Sequence, residues 1–275
     1  MDRKQIAQMT LRIQQQGFYE YEGQRVDFAS AQKHSEDNSE LITPEQGAEL
    51  VTECNKLPRL QQAAVYSVAN EATVKAIIDL VEAERDRVGV LNFASAKNPG
   101  GGFLNGAMAQ EESLAASSGL YNTQLRNEGY YLANRACPSM MYTDHAIYSP
   151  DVVFFRDERF TLMKRPVTAS VLTLPAVNYG QVLLKGEDSL QAERVMKDRM
   201  RLALALFAHK GDQHLVLGAY GCGVFRNDPV KVAGWWRELL DDEGFGLFFS
   251  TIRFAVLDTS KDRKCIHAFE KAFIG

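Results

Sequence analysis

Apolar and polar positions alternate along this chain with two different periods, and the rhythm changes near residue 60. From Arg3 to Gln16 the residues Ile6, Met9, Leu11 and Ile13 recur at helical spacing and predict an amphipathic helix. A short β-like piece follows at Arg25–Phe28, and the polar stretch Ser30–Glu40 reads as loop. Thr43-Pro44 is a helix start for Glu45–Lys56, because proline fits the first helical turn and threonine caps it. The apolar faces of residues 1–58 are too small to form a core, so this stretch is expected to be an extension packed on the remainder. From residue 59 onward, strand-like and helix-like segments alternate. Strands are predicted at Ala63–Val68, Val88–Phe93, Ile147–Phe155, Ala169–Leu174, Leu215–Ala219 and Thr251–Leu257. Between them helices are predicted over residues 70–83, Glu111–Leu125, Ala192–Ala208 and Pro229–Leu240, with Ile266–Phe273 closing the chain. That alternation predicts an α/β three-layer domain at residues 59–275: a mixed central sheet covered on both faces, with a mostly helical N-terminal extension.

Composition narrows the function classes. A 275-residue chain with 45% hydrophobic residues can bury a substantial core. The formal net charge of −4 argues against a general nucleic-acid clamp, which needs clustered cations. Cys54, Cys137, Cys222 and Cys265 are widely spaced, which suits a reduced cytoplasmic protein better than a disulfide scaffold or zinc site. No apolar run is long enough to cross a membrane and no signal-peptide core is visible, so a soluble, cytoplasmic protein is expected. The five histidines fall in no metal-ligand spacing, and neither a metal nor a cofactor is expected.

In sheets of this kind ligands sit beyond the carboxyl ends of strands. Two glycine-bearing loops fall there. The first, after Val88–Phe93, runs Asn98-Pro-Gly-Gly-Gly-Phe-Leu-Asn-Gly-Ala-Met-Ala-Gln-Glu-Glu112. Gly100, Gly101 and Gly102 cost conformational entropy, a cost suited to positive φ or to backbone lying against a ligand. Gln110, Glu111 and Glu112 begin the next helix, where the dipole tolerates carboxylates and two adjacent acids raise each other's proton affinity. Alone, either feature reads as a flexible turn or an acidic first turn. The second loop, Gly221-Cys222-Gly223-Val224-Phe225-Arg-Asn227, offers backbone N–H groups to an anion. Its near match to G-x-G-x-x-G fails as a dinucleotide fingerprint: the third glycine is missing, and Asp241 falls at a helix end rather than a strand end.

Taken together, three glycines, a spacer of seven residues and Gln-Glu-Glu resemble the signature of poly(ADP-ribose) glycohydrolases, and the flanking Phe93–Ala107 resembles the bacterial branch. The resemblance extends to the N-terminal arm, Asn70–Thr73, Leu174–Asn178 and Gly218–Pro229, and so covers most of the chain. It implies a macrodomain, an ADP-ribose-binding α/β/α sandwich. It also implies substrate-binding roles for Glu71 (adenine amino group), Asn98 (ribose), Gly100–Gly102, Gln110, the diphosphate loop Gly221, Cys222, Gly223 and Val224, and Phe225 (distal ribose). Simpler readings stay open for Glu71 (first-turn stabilisation), Asn98 (shaping the turn before Pro99) and Phe225 (core packing). Lys97 and Arg226 are further candidates for the diphosphate. The implied reaction is hydrolysis of ribose–ribose O-glycosidic bonds. In it Glu112 donates the proton and then accepts one from water, while Glu111 orients the leaving ribose. The implied partners are poly(ADP-ribose) or ADP-ribosylated proteins, with ADP-ribose as product and cleavage from chain ends. Removal of mono-ADP-ribose, and non-catalytic reading of ADP-ribose, are the alternatives.

Overall fold

The computed structural model describes residues 2–275. The N-terminal part comprises α1 (Arg3–Gln16), a hairpin of β1 (Phe18–Tyr21) and β2 (Gln24–Asp27), α2 (Ala29–Asp37), β3 (Glu40–Ile42) and α3 (Pro44–Glu53). It continues into β4 (Val65–Ala69), α4 (Thr73–Glu82), β5 (Val88–Ala94) and three short helices: α5 (Gln110–Ser117), α6 (Leu120–Arg126) and α7 (Glu128–Ala136). Then come β6 (Ala146–Arg156), β7 (Leu162–Pro175), α8 (Tyr179–Leu184), α9 (Ser189–Lys210), β8 (His214–Leu217), α10 (Pro229–Arg237), β9 (Thr251–Ala255) and α11 (Lys264–Phe273).

Seven strands form one mixed sheet in the order β3-β6-β7-β5-β8-β9-β4. The five from β7 to β4 are parallel, whereas β6 and β3 join antiparallel at one edge. The buried run of β5, with Val90 and Leu91 fully enclosed, has core on both faces, as parallel strands require. One face packs on α9, α10 and α11 through residues such as Leu204, Trp236 and Phe269. The other face packs on α4 and the start of α6 through Val74, Ile77 and Leu120.

Several expectations need correction. Ser30–Glu40 is not loop: it holds α2 and the start of β3. The buried face of α2 is polar, with Gln32 and Ser35 enclosed, so no apolar period marks it. Through β3 the N-terminal stretch also supplies the edge strand of the main sheet, so the sheet itself crosses residue 58. The single helix expected over Glu111–Leu125 breaks at Ser118-Gly119. Ser118 turns extended and bridges Phe154, the Gly119 N–H donates to Val153, and a side chain on Gly119 would collide with Gln32. β7 begins seven residues before the expected Ala169, and its register against β6 jumps between Phe154 and Arg156, which accommodates Pro166.

Candidate active site

Five loops leave the carboxyl ends of the parallel strands and enclose one cavity of about 640 Å³. Its wall includes Glu71–Val74 after β4, Gln110–Ser113 after β5, Ala176 after β7, Ala219 and Gly221–Phe225 after β8 and Ala255–Thr259 at the end of β9. The position follows from the topology. β5 stays paired with β7 as far as Ala94, but its pairing with β8 ends at Val90, and a crevice opens where the two neighbours part.

Gln110 sits at that split. Its Oε1 accepts from the Phe93 N–H at 2.8 Å and its Nε2 donates to the Leu91 carbonyl at 2.8 Å. The side-chain amide thus replaces the strand that β5 has lost and pins the start of α5 to the sheet. It lines the cavity, with one N–H and one oxygen lone pair of the amide already committed to backbone.

Glu111 points inward and is 3% exposed. Its Oε2 accepts from the Ser95 N–H at 2.7 Å, and its Oε1 accepts from Gln124 Nε2 at 2.9 Å and Asn92 Nδ2 at 3.1 Å. Burial pushes its carboxyl up to about 8 against these three donors, and the neighbouring Glu112 adds to the push. Glu112 is half-buried on the cavity wall, and its Oε1 accepts from the Gly102 N–H at 2.9 Å.

The N–H groups of the three glycines all meet acceptors within the protein, and one of these is a carboxylate. The Gly100 N–H donates to Gln124 at 2.8 Å, the Gly101 N–H to the Asn98 carbonyl at 3.0 Å, and the Gly102 N–H to Glu112. Gly101 has φ +59°, and a methyl group there would collide with Glu112 Oε1 and lie 3.1 Å from Glu111 Oε2. Glycine is required because the two acids close over this backbone. Asn98, Gly100, Gly101 and Gly102 do not line the cavity, whereas Glu111 and Glu112, which close over the loop, do. Asn98 is exposed and shapes the turn.

The opposite wall differs. Gly221 has φ +72°, and a side chain there would strike Asn227 and Ala176. Buried Asn227 holds the loop by donating to the carbonyls of Val177 (2.8 Å) and Gly221 (3.0 Å). Among the described residues, the N–H groups of Gly223, Val224 and Phe225 have no intramolecular acceptor, and Val224 is 85% exposed. Phe225 lines the cavity and also packs beside Tyr142, ring centroids 6.1 Å apart. Burial pushes the Cys222 thiol up, so it is a poor nucleophile at neutral pH. Lys97 and Arg226 are exposed and stay off the cavity wall.

Glu71 lines the far end, but its oxygens accept from Arg253 Nε at 2.6 Å and Nη2 at 2.8 Å. Neither Asn70 nor Thr73 caps α4. Asn70 instead ties this loop to Asp258, accepting from its N–H and donating to its carbonyl. Sequence reading missed Asn92 and Gln124 behind Glu111, and Glu158 and Phe160, which reach the cavity from the β6–β7 turn. Their separation in sequence leaves no local signal.

The N-terminal helix braces this apparatus. Thr10 Oγ1 donates to the Ala116 carbonyl and Gln14 Nε2 to the Ser118 carbonyl, both at 2.7 Å and buried, which satisfies the carboxyl end of α5. Ile6 and Ala7 pack against Phe103 and Ala115. Among the described residues, no group of three or more His, Cys, Asp or Glu side chains could hold a metal ion, and no helix is long and apolar enough to cross a membrane.

The family model for the microbial-type PARG catalytic domain matches residues 7–157. The chain belongs to the microbial-type poly(ADP-ribose) glycohydrolase family. The solved poly(ADP-ribose) glycohydrolase of Thermomonospora curvata is 38% identical over 98% of this chain and 99% of that one, with a TM-score of 0.93. The same enzyme solved with the inhibitor ADP-HPD gives 37% identity, the same coverage and a TM-score of 0.91. The poly(ADP-ribose) glycohydrolase of Deinococcus radiodurans, solved with ADP-ribose, is 42% identical over 88% of this chain and 96% of that one, with a TM-score of 0.82. No curated protein sequence matches the chain. The family's macrodomain architecture agrees with the seven-stranded mixed sheet and its flanking helices.

Proposed function

We propose that this chain hydrolyses the ribose–ribose O-glycosidic bonds of poly(ADP-ribose), acting at chain ends and releasing ADP-ribose. The observation that carries the reading is the pairing of Glu111 and Glu112 at the amino end of α5 with a facing loop whose backbone N–H groups are unspent. Those N–H groups suit a diphosphate, since successive amides on a loop form an anion nest. The cavity is of the size that accommodates one ligand unit. The Deinococcus radiodurans relative is solved with ADP-ribose, which supports the same ligand here.

Cleavage passes through an oxocarbenium-like state and needs a proton on the departing ribose oxygen and an activated water. Glu112, on the cavity wall, gives its own carboxyl proton to the departing ribose oxygen and then takes one from the attacking water. Glu111, fixed by three donors, accepts from the leaving ribose and orients it. The Gly223–Phe225 amides hold the diphosphate, and the Phe225 ring positions the distal ribose. Glu71 faces the adenine end as an acceptor, held in place by two hydrogen bonds from Arg253.

The test is to incubate the protein with poly(ADP-ribose) and, separately, with mono-ADP-ribosylated protein, and to resolve the products by chromatography. Free ADP-ribose from polymer, with the last protein-linked unit left in place, is the expected outcome. Binding without release would make the chain a reader. Release from the mono-modified protein would make it a mono-ADP-ribosyl hydrolase. Oligomers as early products would overturn chain-end cleavage.

A further inference from the structure

Gln124 lies on α6, outside the glycine and Gln-Glu-Glu words, and is fully buried. Both ends of its amide are used. Oε1 accepts the Gly100 N–H at 2.8 Å, and Nε2 donates to Glu111 Oε1 at 2.9 Å, with Thr173 Oγ1 farther off at 3.5 Å. Two residues along the same loop, the Gly102 N–H donates to Glu112. Gln124 therefore ties Glu111 to the glycine loop, whose backbone leads on to the Gly102 donor of Glu112, connecting two carboxylates that share no hydrogen bond of their own. The remaining partners of Glu111 come from β5 and the turn after it, namely Asn92 and the Ser95 N–H. Gln124 stays off the cavity wall.

We propose that Gln124 is a positioning residue for hydrolysis, setting the glycine loop against Glu112 with one end of its amide and holding Glu111 with the other. The inference rests on the assignment of Glu111 and Glu112 to the chemistry. A donor on a carboxylate favours its ionised form, so loss of the Nε2 donor raises proton affinity at the pair. The titratable groups facing Glu111 are Glu112 on its own helix and Tyr130 and Tyr131 on α7, whose hydroxyls burial pushes far upward, so both tyrosines stay neutral. A packing residue alone would not move the pH dependence.

Two variants separate the ends. Gln124→Met removes both hydrogen bonds, while Gln124→Glu keeps the acceptor for Gly100 and replaces the amide donor to Glu111 with a carboxyl that either repels Glu111 or shares a proton with it. Each is expected to lower kcat about tenfold or more, as misplacement of a reacting group does. Each is also expected to move the kcat–pH profile upward by about one pH unit, with KM and ADP-ribose affinity within about threefold of wild type. An unmoved pH profile, or a loss residing wholly in KM, would overturn the proposal. In the unaltered protein the Gly100 amide should be strongly protected from hydrogen exchange, and fast exchange there would also overturn it, whatever the variants do. The underlying assignment fails separately: if Glu112→Gln turns over normally, the chemistry lies elsewhere, whereas normal pH behaviour of the Gln124 variants beside an inactive Glu112→Gln refutes this inference alone.

Discussion

The two glycine loops of the cleft look alike in sequence and behave oppositely in structure. In Gly100–Gly102 every backbone N–H already has an acceptor inside the protein. In Gly223–Phe225 none does, and the loop tip stands in solvent. The first loop spends its amides inside the protein, one of them on Glu112, whereas the second leaves its amides unspent. On the proposed mechanism, preorganised carboxylates on one wall and open amides on the other divide catalysis from binding. Changes in the first loop should therefore appear in kcat and changes in the second in KM.

Within the two loops, the largest effect should follow from Gly101→Ala. The methyl group meets Glu112 and the backbone must hold φ +59°, so both acids are displaced. A fall in kcat of about a hundredfold or more is expected with ADP-ribose affinity little changed, measured by steady-state kinetics and calorimetry. Equal losses in kcat and affinity would erase the distinction between the walls. Phe225→Ala should do the reverse, raising KM about tenfold, equivalent to about 1.4 kcal/mol, while kcat falls less. A kcat defect dominating there would return Phe225 to the catalytic side.

A smaller effect tests the brace behind α5. Thr10→Val leaves the Ala116 carbonyl buried without its donor and should cost about 1–3 kcal/mol in denaturant unfolding. Stability unchanged within error would show that the N-terminal helix does not hold α5. The smallest effect lies at the far end of the sheet, where burial pushes Asp212 up to about 7 although Tyr148 donates to it at 2.9 Å. A carboxyl whose folded pKa is raised loses stabilising effect as pH climbs from its unfolded value near 4 through about 7. Asp212→Asn should accordingly raise Tm by a few degrees at pH 8 and by little at pH 4, with turnover unchanged. A gain at pH 4 equal to that at pH 8 would refute the linkage.

Much of this was legible in sequence. The apolar run Val88–Phe93, the alternation after residue 60 and the Gly-Gly-Gly…Gln-Glu-Glu word placed the sheet, the layers and the acids, because each is a local pattern. What was not legible depends on partners far along the chain. The helix α2 hides because its buried face is Gln32 and Ser35 rather than leucines. The break at Gly119 is set by contact with Gln32, and the role of Gly101 is set by Glu112 curling back over it. Gln110 reads as a member of a motif, and only the divergence of β8 from β5 shows why an amide is needed there.

The most direct measurement is ADP-ribose affinity and polymer turnover on one preparation of Glu112→Gln. The account predicts turnover lowered by at least about a thousandfold, as for loss of a general acid–base group, with ADP-ribose binding within a few-fold of wild type. Substantial residual release of ADP-ribose from polymer, or loss of binding together with turnover, would contradict it.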